Sequence, residues 1–224
     1  MAVFYDLLMG FGVTLELFFL TLLIALPLGL LIALGSMSKL PPLRWLLRGL
    51  VWIVRGTPLL LQCIVVSFIP SVVFQTPNKE VASFFGLTIS GLQFVFVLVA
   101  FALNYACYFA VIYEGGIKSI PHGQYEAGQV LGMTKTQIFF RVILMQMVRR
   151  VLSPMSNEVI TLVKDTALAR ALSVIEIIAI AYEKVNKYAV LSPLLYAALF
   201  YLAFSGVLTV LFQKLEKKLG YYQV

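Results

Sequence analysis

A polar stripe interrupts the fourth long apolar run of this chain. Asn157, Thr161 and Lys164 are spaced i, i+4 and i+7, and Glu158, Thr161 and Asp165 share an overlapping face of the same predicted helix. Ionisable groups at membrane depth cost about 2.5–3.5 kcal/mol each and persist mainly where they face a protein interior or a water-filled path. The stripe therefore predicts the lining of a translocation path, in which Glu158 holds a cationic group.

The same residues also fit a structural role. Lys164 and Asp165 would then form hydrogen bonds at the cytoplasmic end of the span, and Glu158 would pair with another helix. Gln62 and Asn104 are isolated polar residues in two other apolar runs, so each either lines the same path or bonds across helices. The sequence alone leaves both alternatives open.

A second motif precedes the run that contains Gln62. Arg55, Gly56, Thr57 and Pro58 punctuate the start of that run, because glycine and proline interrupt regular helices. The preceding basic and tryptophan-containing stretch, with prolines 41 and 42 at its start, predicts an interfacial helix. We interpret Arg55 as an anchor at the inner headgroups.

Composition places these residues in a membrane protein. The chain of 224 residues is 61% hydrophobic and 12% charged, and its mean hydropathy is +0.97. A helix that crosses a hydrocarbon core about 30 Å thick needs roughly 20 apolar residues, which five runs supply. We therefore expect an all-α membrane protein with a single transmembrane domain over residues 1–224. The predicted spans are about 12–36, 56–75, 90–113, 153–181 and 191–212.

The distribution of basic residues predicts the topology. With the N-terminus outside and the C-terminus cytoplasmic, 12 of the 17 Lys and Arg residues fall on the inner side, and the segment 115–150 is cytoplasmic. The first span lacks the basic leader of a signal peptide, so we expect it to be retained. The net charge of +7 is explained by this asymmetry and by anionic lipid, and no nucleic-acid partner is inferred.

The sequence lacks the motifs for nucleotide binding, nucleophilic catalysis and zinc-dependent hydrolysis. The sequence lacks a phosphate-binding G-x-x-x-x-G-K-[ST] loop, a nucleophile elbow and an H-E-x-x-H pair. Cys63 and Cys107 lie within apolar runs, and His122 is the one histidine. We expect no catalytic residues, no metal site and no cofactor bound by this chain. The aromatic residues of the third span, Tyr105 and Tyr108 among them, are interpreted as packing residues.

The segment 115–150 predicts two short helices joined by a glycine corner. Gly115 and Gly116 are expected to end the third span. Ala127 and Leu131 recur at helical spacing before Gly132 stops the first helix.

The second short helix has its own start signal. Thr134 and Gln137 form a capping-box pattern, in which the hydroxyl accepts from a backbone amide and the Gln side chain reaches back. Ile138, Val142 and Met145 are predicted to share its apolar stripe.

The stretch "YEAGQVLGMTKTQIFFRVIL" (125–144) resembles the cytoplasmic E-A-A-x-x-x-G loop of ABC-importer permease subunits. The stretches "GVTLELFFLTLLIALPLGLLIAL" (12–34), "RGTPLLLQ" (55–62), "GGIKSIPHGQYEAG" (115–128) and "NEVITLVKDTAL" (157–168) are similar to the polar amino-acid branch of that family. The resemblance implies a type I importer permease of the bacterial cytoplasmic (inner) membrane.

The resemblance also implies partners. They are a second permease subunit (identical or different), an extracytoplasmic binding protein that delivers an amino acid, and a cytoplasmic ATPase dimer that uses ATP and Mg²⁺. The implied ATPase-coupling residues are Tyr125, Glu126, Ala127, Gly128, Leu131 and Gly132. Gly128 stands where the loop motif has its second alanine, and Met145 where the family commonly has proline.

Two other classes of protein remain as alternatives. An ion-coupled secondary carrier or channel would use the charges of the fourth span as its coupling site, although no inverted repeat is visible in the sequence. A scaffold subunit would have no transport path at all.

Overall fold

The computed structural model describes residues 2–220, and these are almost entirely helical. A π-helical segment (Phe139–Ile143) precedes α8, and a 3₁₀ segment (Thr166–Leu172) follows it. The α-helices are α1 (Ala2–Ser36), α2 (Pro41–Arg55), α3 (Leu59–Val73), α4 (Asn78–Phe84), α5 (Ile89–Lys118), α6 (His122–Val130), α7 (Lys135–Ile138), α8 (Leu144–Asp165), α9 (Ile177–Tyr188) and α10 (Ser192–Leu219).

Three of these helices are long and apolar enough to cross a bilayer by themselves, namely α1, α5 and α10. Helices α2 and α3 pass the same test together but are bent by 112° relative to each other. The separate α2 agrees with the helix predicted before the second span. Its exposed Trp45 and Trp52 suit the membrane interface, where tryptophan is enriched.

Helix α1 begins at Ala2, ten residues before the start of the predicted first span. The helix therefore includes the charged residue Asp6. Lys184 Nζ lies 2.5 Å from Asp6 Oδ2 and ties the start of α1 to α9. The hydrogen bond from Lys184 to Asp6 raises the pKa of this lysine above its usual value. The carboxylate at the start of α1 is thus partnered within the fold.

The predicted fourth span is divided in the structure. Helix α8 continues into the 3₁₀ segment, and Ser173 then adopts a left-handed conformation with φ 60°. Glu176 starts α9, since its two carboxylate oxygens accept hydrogen bonds from the amides of Ile178 and Ala179, each at 2.7 Å. A side-chain cap of this kind favours a new helix start over continuation of the old one.

Helix α5 is the centre of the bundle and packs against α1, α2, α3, α4 and α8. It buries Phe101, Tyr105 and Phe109 in a core that α1 completes with Leu17 and Phe18. The helix surfaces that face away from this core are also apolar. Along α10, for example, Leu195, Leu199 and Leu202 are exposed, which suits contact with lipid chains.

A candidate substrate cavity and a candidate coupling segment

The bend between α2 and α3 is built from the Arg55–Pro58 motif. Helix α2 ends at Arg55. The backbone amide of Gly56, the next residue, donates to the Trp52 carbonyl at 3.0 Å, and Thr57 Oγ1 donates to the Ile53 carbonyl at 3.0 Å. Pro58 then adopts an extended conformation and immediately precedes α3, which begins at Leu59. The motif therefore forms a hinge between the two helices.

Gln62 and Asn104 brace this hinge. Gln62 Nε2 donates to the carbonyls of Val54 (2.7 Å) and Thr57 (3.1 Å) and to Thr57 Oγ1 (2.9 Å). Its Oε1 accepts from Asn104 Nδ2 at 3.0 Å. The amide of Gln62 thus partners carbonyls that the end of α2 leaves free, and Asn104 fixes the hinge to α5.

A cavity of about 220 Å³ lies directly beside the hinge. It is lined by Thr57, Pro58, Leu59, Asn104, Tyr105, Tyr108, Glu158, Thr161 and Asp165. Of the two overlapping faces that the polar stripe of α8 offers, the structure places the face with Glu158, Thr161 and Asp165 at this cavity. Asn157 and Lys164 lie on exposed surface of α8 and do not line it.

The chemistry of the cavity is acidic and hydrogen-bonding. The Tyr105 hydroxyl donates to Asp165 Oδ2 at 2.6 Å, which orients that carboxylate. The carboxylate of Glu158 makes no hydrogen bond or ion pair within 4 Å to another side chain in residues 2–220. The Arg55 guanidinium carbon lies 4.9 Å from the centre of the Tyr108 ring, outside the cavity lining. The arrangement can accept hydrogen bonds from an ammonium or guanidinium group.

The sequence interpretation assigned Tyr105 and Tyr108 to packing and did not place them at a cavity. Both line the cavity, and Tyr105 is also buried in the core. Tyr108 follows Asn104 by four residues and therefore shares its face of α5, which was the available signal for that residue.

The corner of the segment 115–150 matches the sequence prediction. Gly132 has φ +72°, a left-handed conformation that favours glycine. The capping box is complete: the Gln137 amide donates to Thr134 Oγ1 at 3.3 Å, and the Thr134 amide donates to Gln137 Oε1 at 2.9 Å. Helices α6 and α7 are therefore joined at a sharp, capped turn.

Gly128 has a packing reason. A Cβ at this position would lie 2.6 Å from Ile138 Cγ1, and Ile138 is buried against α6. The departure from the alanine of the loop motif is thereby explained, because α6 and the start of the second helix approach too closely for a methyl group. On the outer side of α6, Val130 (87% exposed) and Leu131 (78%) form an apolar tip beside the exposed Glu126 and Ala127.

Two predictions about the ends of this segment are wrong. Helix α5 runs through Gly115 and Gly116 to Lys118, because Gly116 packs against α8, where its Cβ would lie 2.2 Å from Val151 Cγ1. Met145 is exposed and not on the buried stripe. The π-helical segment Phe139–Ile143 shifts the phase of the helix, so that Ile143 is buried instead.

The bent second span, the helical hairpin at one end and the polar cavity fit the membrane permease of the ABC-importer type that the sequence resembles. A family model described as "Binding-protein-dependent transport system inner membrane component" matches residues 25–221, and the chain belongs to this family. Its members are bacterial inner-membrane subunits that work with a substrate-binding protein and a separate ATPase subunit.

Individual relatives agree with this assignment. The chain is 34% identical over 216 residues to the L-cystine transport system permease protein TcyB of Bacillus subtilis, covering 95% of this chain and 86% of the relative. It is 32% identical over 181 residues to the arginine ABC transporter permease protein ArtQ of Escherichia coli K12, covering 76% of each chain.

Solved structures share the fold. A crystal structure of an amino acid ABC transporter with histidines matches with a TM-score of 0.78 and 27% identity, covering 95% of this chain and 94% of that chain. An inward-facing structure of the MetNI methionine ABC transporter matches with a TM-score of 0.67 and 18% identity, a likeness in fold alone.

Proposed function

We propose that this chain forms the translocation path for a polar amino acid in an ATP-driven importer. The observation that carries the proposal is the cavity beside the hinge, where Glu158 and Asp165 meet Asn104 and Thr161. The ammonium group of an amino acid can donate hydrogen bonds to the two carboxylates of the cavity. The carboxylate and side chain of the amino acid can bind to the amide and hydroxyl groups of the cavity. The names of relatives that transport cystine and arginine support the same substrate class.

The assembly contains a second permease subunit, an extracytoplasmic binding protein and a cytoplasmic ATPase dimer that uses ATP and Mg²⁺. The binding protein delivers the amino acid to the outer side, and the two permease subunits enclose the path. ATP binding closes the ATPase dimer, and release after hydrolysis restores the inward-facing state. The permease alternates between these states around the cavity.

The ATPase contacts the coupling segment, residues 119–150. Val130 and Leu131 present an apolar tip that suits a cleft on a protein partner, and Glu126 adds a charge beside it. The complete capping box and the tight contact of Gly128 with Ile138 make the hairpin rigid. A rigid hairpin transmits the movement of the ATPase to α5 and α8, which flank it.

Reconstitution tests the function. Vesicles that contain the permease with its ATPase and binding protein should take up a radiolabelled amino acid only with ATP inside. Glu158→Gln should weaken uptake of a cationic amino acid at least tenfold, because it removes a charged hydrogen-bond acceptor that contributes roughly 1.5–3 kcal/mol. The measurement is the initial rate of uptake against substrate concentration.

The matched control is Glu183→Gln, which makes the same change at an exposed carboxylate on α9, remote from the cavity lining. We expect its uptake to equal that of the unmodified protein. Uptake by the permease alone, driven by an ion gradient and insensitive to ATP, would instead support a secondary carrier. Equal effects of both substitutions would contradict the cavity assignment.

A further inference from the structure

A second, separate cavity of about 420 Å³ lies between the ends of α1 and α2 and the last turns of α5. It is lined by Ser36, Arg48, Val51, Trp52, Arg55, Gly56, Ala110, Val111 and Glu114. None of these residues lines the substrate cavity. Its volume falls within the roughly 300–1,000 Å³ that small-molecule sites occupy.

The second cavity carries an excess of positive charge. Arg48 Nη2 lies 3.7 Å from Glu114 Oε1, and Lys118 Nζ lies 2.5 Å from the same oxygen. One carboxylate therefore faces two cations. Arg55 has no carboxylate within 4 Å in the part of the chain that the structure describes. Two arginines thus line a cavity whose one acidic residue is already shared.

Apart from Ser36 and the charged residues, the lining consists of apolar residues and Gly56. Val51, Ala110 and Val111 line the cavity, and Trp52 at its edge is 78% exposed. On the same helix Trp45 and Leu46 are 73% and 71% exposed, which suits a helix that lies in the headgroup region. A ligand for this cavity needs a negative group for the arginines and an apolar part for the remaining surface.

The second cavity also has a defined place along the bilayer normal. Glu114 lies in the last turns of α5, and α6 of the coupling segment follows only a few residues later. If the coupling segment contacts a cytoplasmic ATPase, as proposed above, the cavity lies at the inner leaflet. Anionic phospholipids give that leaflet a negative surface, and basic pockets between membrane helices bind their headgroups.

We propose that this cavity binds the phosphate of an anionic glycerophospholipid of the inner leaflet, with Arg48 and Arg55 holding the phosphate. Trp52, Val51 and Val111 contact the glycerol and the first carbons of the acyl chains. The bound lipid fixes α2 against α5 and so holds one side of the hinge at residues 55–58. The inner-leaflet placement rests on the proposed function, whereas the binding chemistry does not.

The test uses the purified permease–ATPase complex in detergent and counts bound lipid by native mass spectrometry. Phosphatidylglycerol is titrated against phosphatidylcholine of the same chain length. We expect phosphatidylglycerol to bind preferentially, and the double variant Arg48→Gln/Arg55→Gln to bind it about 25-fold more weakly, about fivefold for each guanidinium. Arg44→Gln removes one charge on α2 outside the cavity lining and should leave the affinity unchanged, whereas Arg48→Gln alone, which also removes one charge, should weaken binding about fivefold.

The variant Glu114→Gln is a second test, in which the affinity for phosphatidylglycerol should change in the opposite direction. Removing this carboxylate frees Arg48 and Lys118, so binding of phosphatidylglycerol should become stronger. If Arg48, Lys118 and Glu114 had only a structural role, Glu114→Gln would lower lipid binding or stability, as the double arginine variant does. The Glu114→Gln variant also keeps the proposal testable if the double arginine variant fails to fold, which thermal unfolding of the complex reports.

Three results would overturn the proposal. They are equal binding of phosphatidylglycerol and phosphatidylcholine, no loss in the double arginine variant, and displacement of the lipid by inorganic phosphate, which would indicate a soluble anion as the ligand. Transport assays separate this proposal from the proposed function. If the unmodified complex shows ATP-driven uptake but does not prefer phosphatidylglycerol, only the lipid site is rejected. If it prefers phosphatidylglycerol but shows no ATP-driven uptake, only the importer function is rejected.

Discussion

At the scale of single residues, the sequence singled out the polar side chains within the spans but not which of them line the same cavity. The carboxylates of Glu158 and Asp165 were recognisable because ionisable groups are rare in apolar spans. That Glu158 faces the cavity while Asn157 faces outward depends on how α8 is rotated against α5, which helical spacing within α8 leaves open.

Gly128 gives a prediction at this scale. An alanine would gain helix propensity of about 1 kcal/mol but would place its Cβ 2.6 Å from Ile138 Cγ1, on a side chain that is β-branched and buried. Overpacking of this kind costs about 1–3 kcal/mol, so Gly128→Ala should lower the stability of the coupling segment. Proteolysis and hydrogen exchange of the segment measure this.

Gly123 is the matched control, since it lies on the same helix and has no heavy atom within 4 Å of a built Cβ. Gly123→Ala should protect the segment or leave it unchanged. Ile138→Ala removes the clashing atom, so Gly128→Ala should cost less stability in that background than in the unmodified chain. Equal behaviour of the two alanine variants would show that the close approach does not restrict the segment.

At the scale of helices, the start signals were predictable and the irregular segments were not. The capping box at Thr134, the corner at Gly132 and the break at residues 55–58 follow from local chemistry. The π-helical segment Phe139–Ile143 and the 3₁₀ segment after Asp165 have no comparable local signal. Both accommodate packing against other helices, which sequence periodicity does not encode.

The continuation of α5 through Gly115 and Gly116 gives a prediction at this scale. These neighbours differ in surroundings: a Cβ on Gly116 would lie 2.2 Å from Val151 Cγ1, and one on Gly115 meets nothing within 4 Å. Gly116→Ala should therefore push α5 away from α8 and lower the melting temperature of the purified permease. Gly115→Ala should keep or raise it, because alanine favours helix.

The comparison separates packing from helix propensity. Both variants add the same methyl group to the same turn of the helix, so a general effect of alanine would act on both alike. A melting temperature that falls for Gly115→Ala and stays constant for Gly116→Ala would contradict the close approach of α5 and α8. Cross-links between cysteines placed on the two helices would report the distance directly.

At the scale of the whole molecule, the membrane class and the family were both accessible from the sequence. Composition defined the first, and the order of five short motifs along the chain defined the second, which the family match over residues 25–221 confirms. The separate locations of the cavity and the coupling segment became visible only in the structure. The candidate substrate cavity lies beside the hinge of α2 and α3, whereas the exposed tip of α6 lies in the segment between α5 and α8.

This separation predicts that coupling and substrate selection fail independently. Leu131→Asp places a charge on the apolar tip, which is 78% exposed and would be buried against the ATPase. We expect the ATPase to be lost from the purified complex, while the melting temperature of the permease stays the same because the tip makes little contact within the chain.

Asn186→Asp, an equal charge change at an exposed position of α9, is the control and should retain the ATPase. Glu158→Gln should also retain it and alter only the substrate preference. An ATPase that stays bound to Leu131→Asp would show that the tip is not the coupling surface.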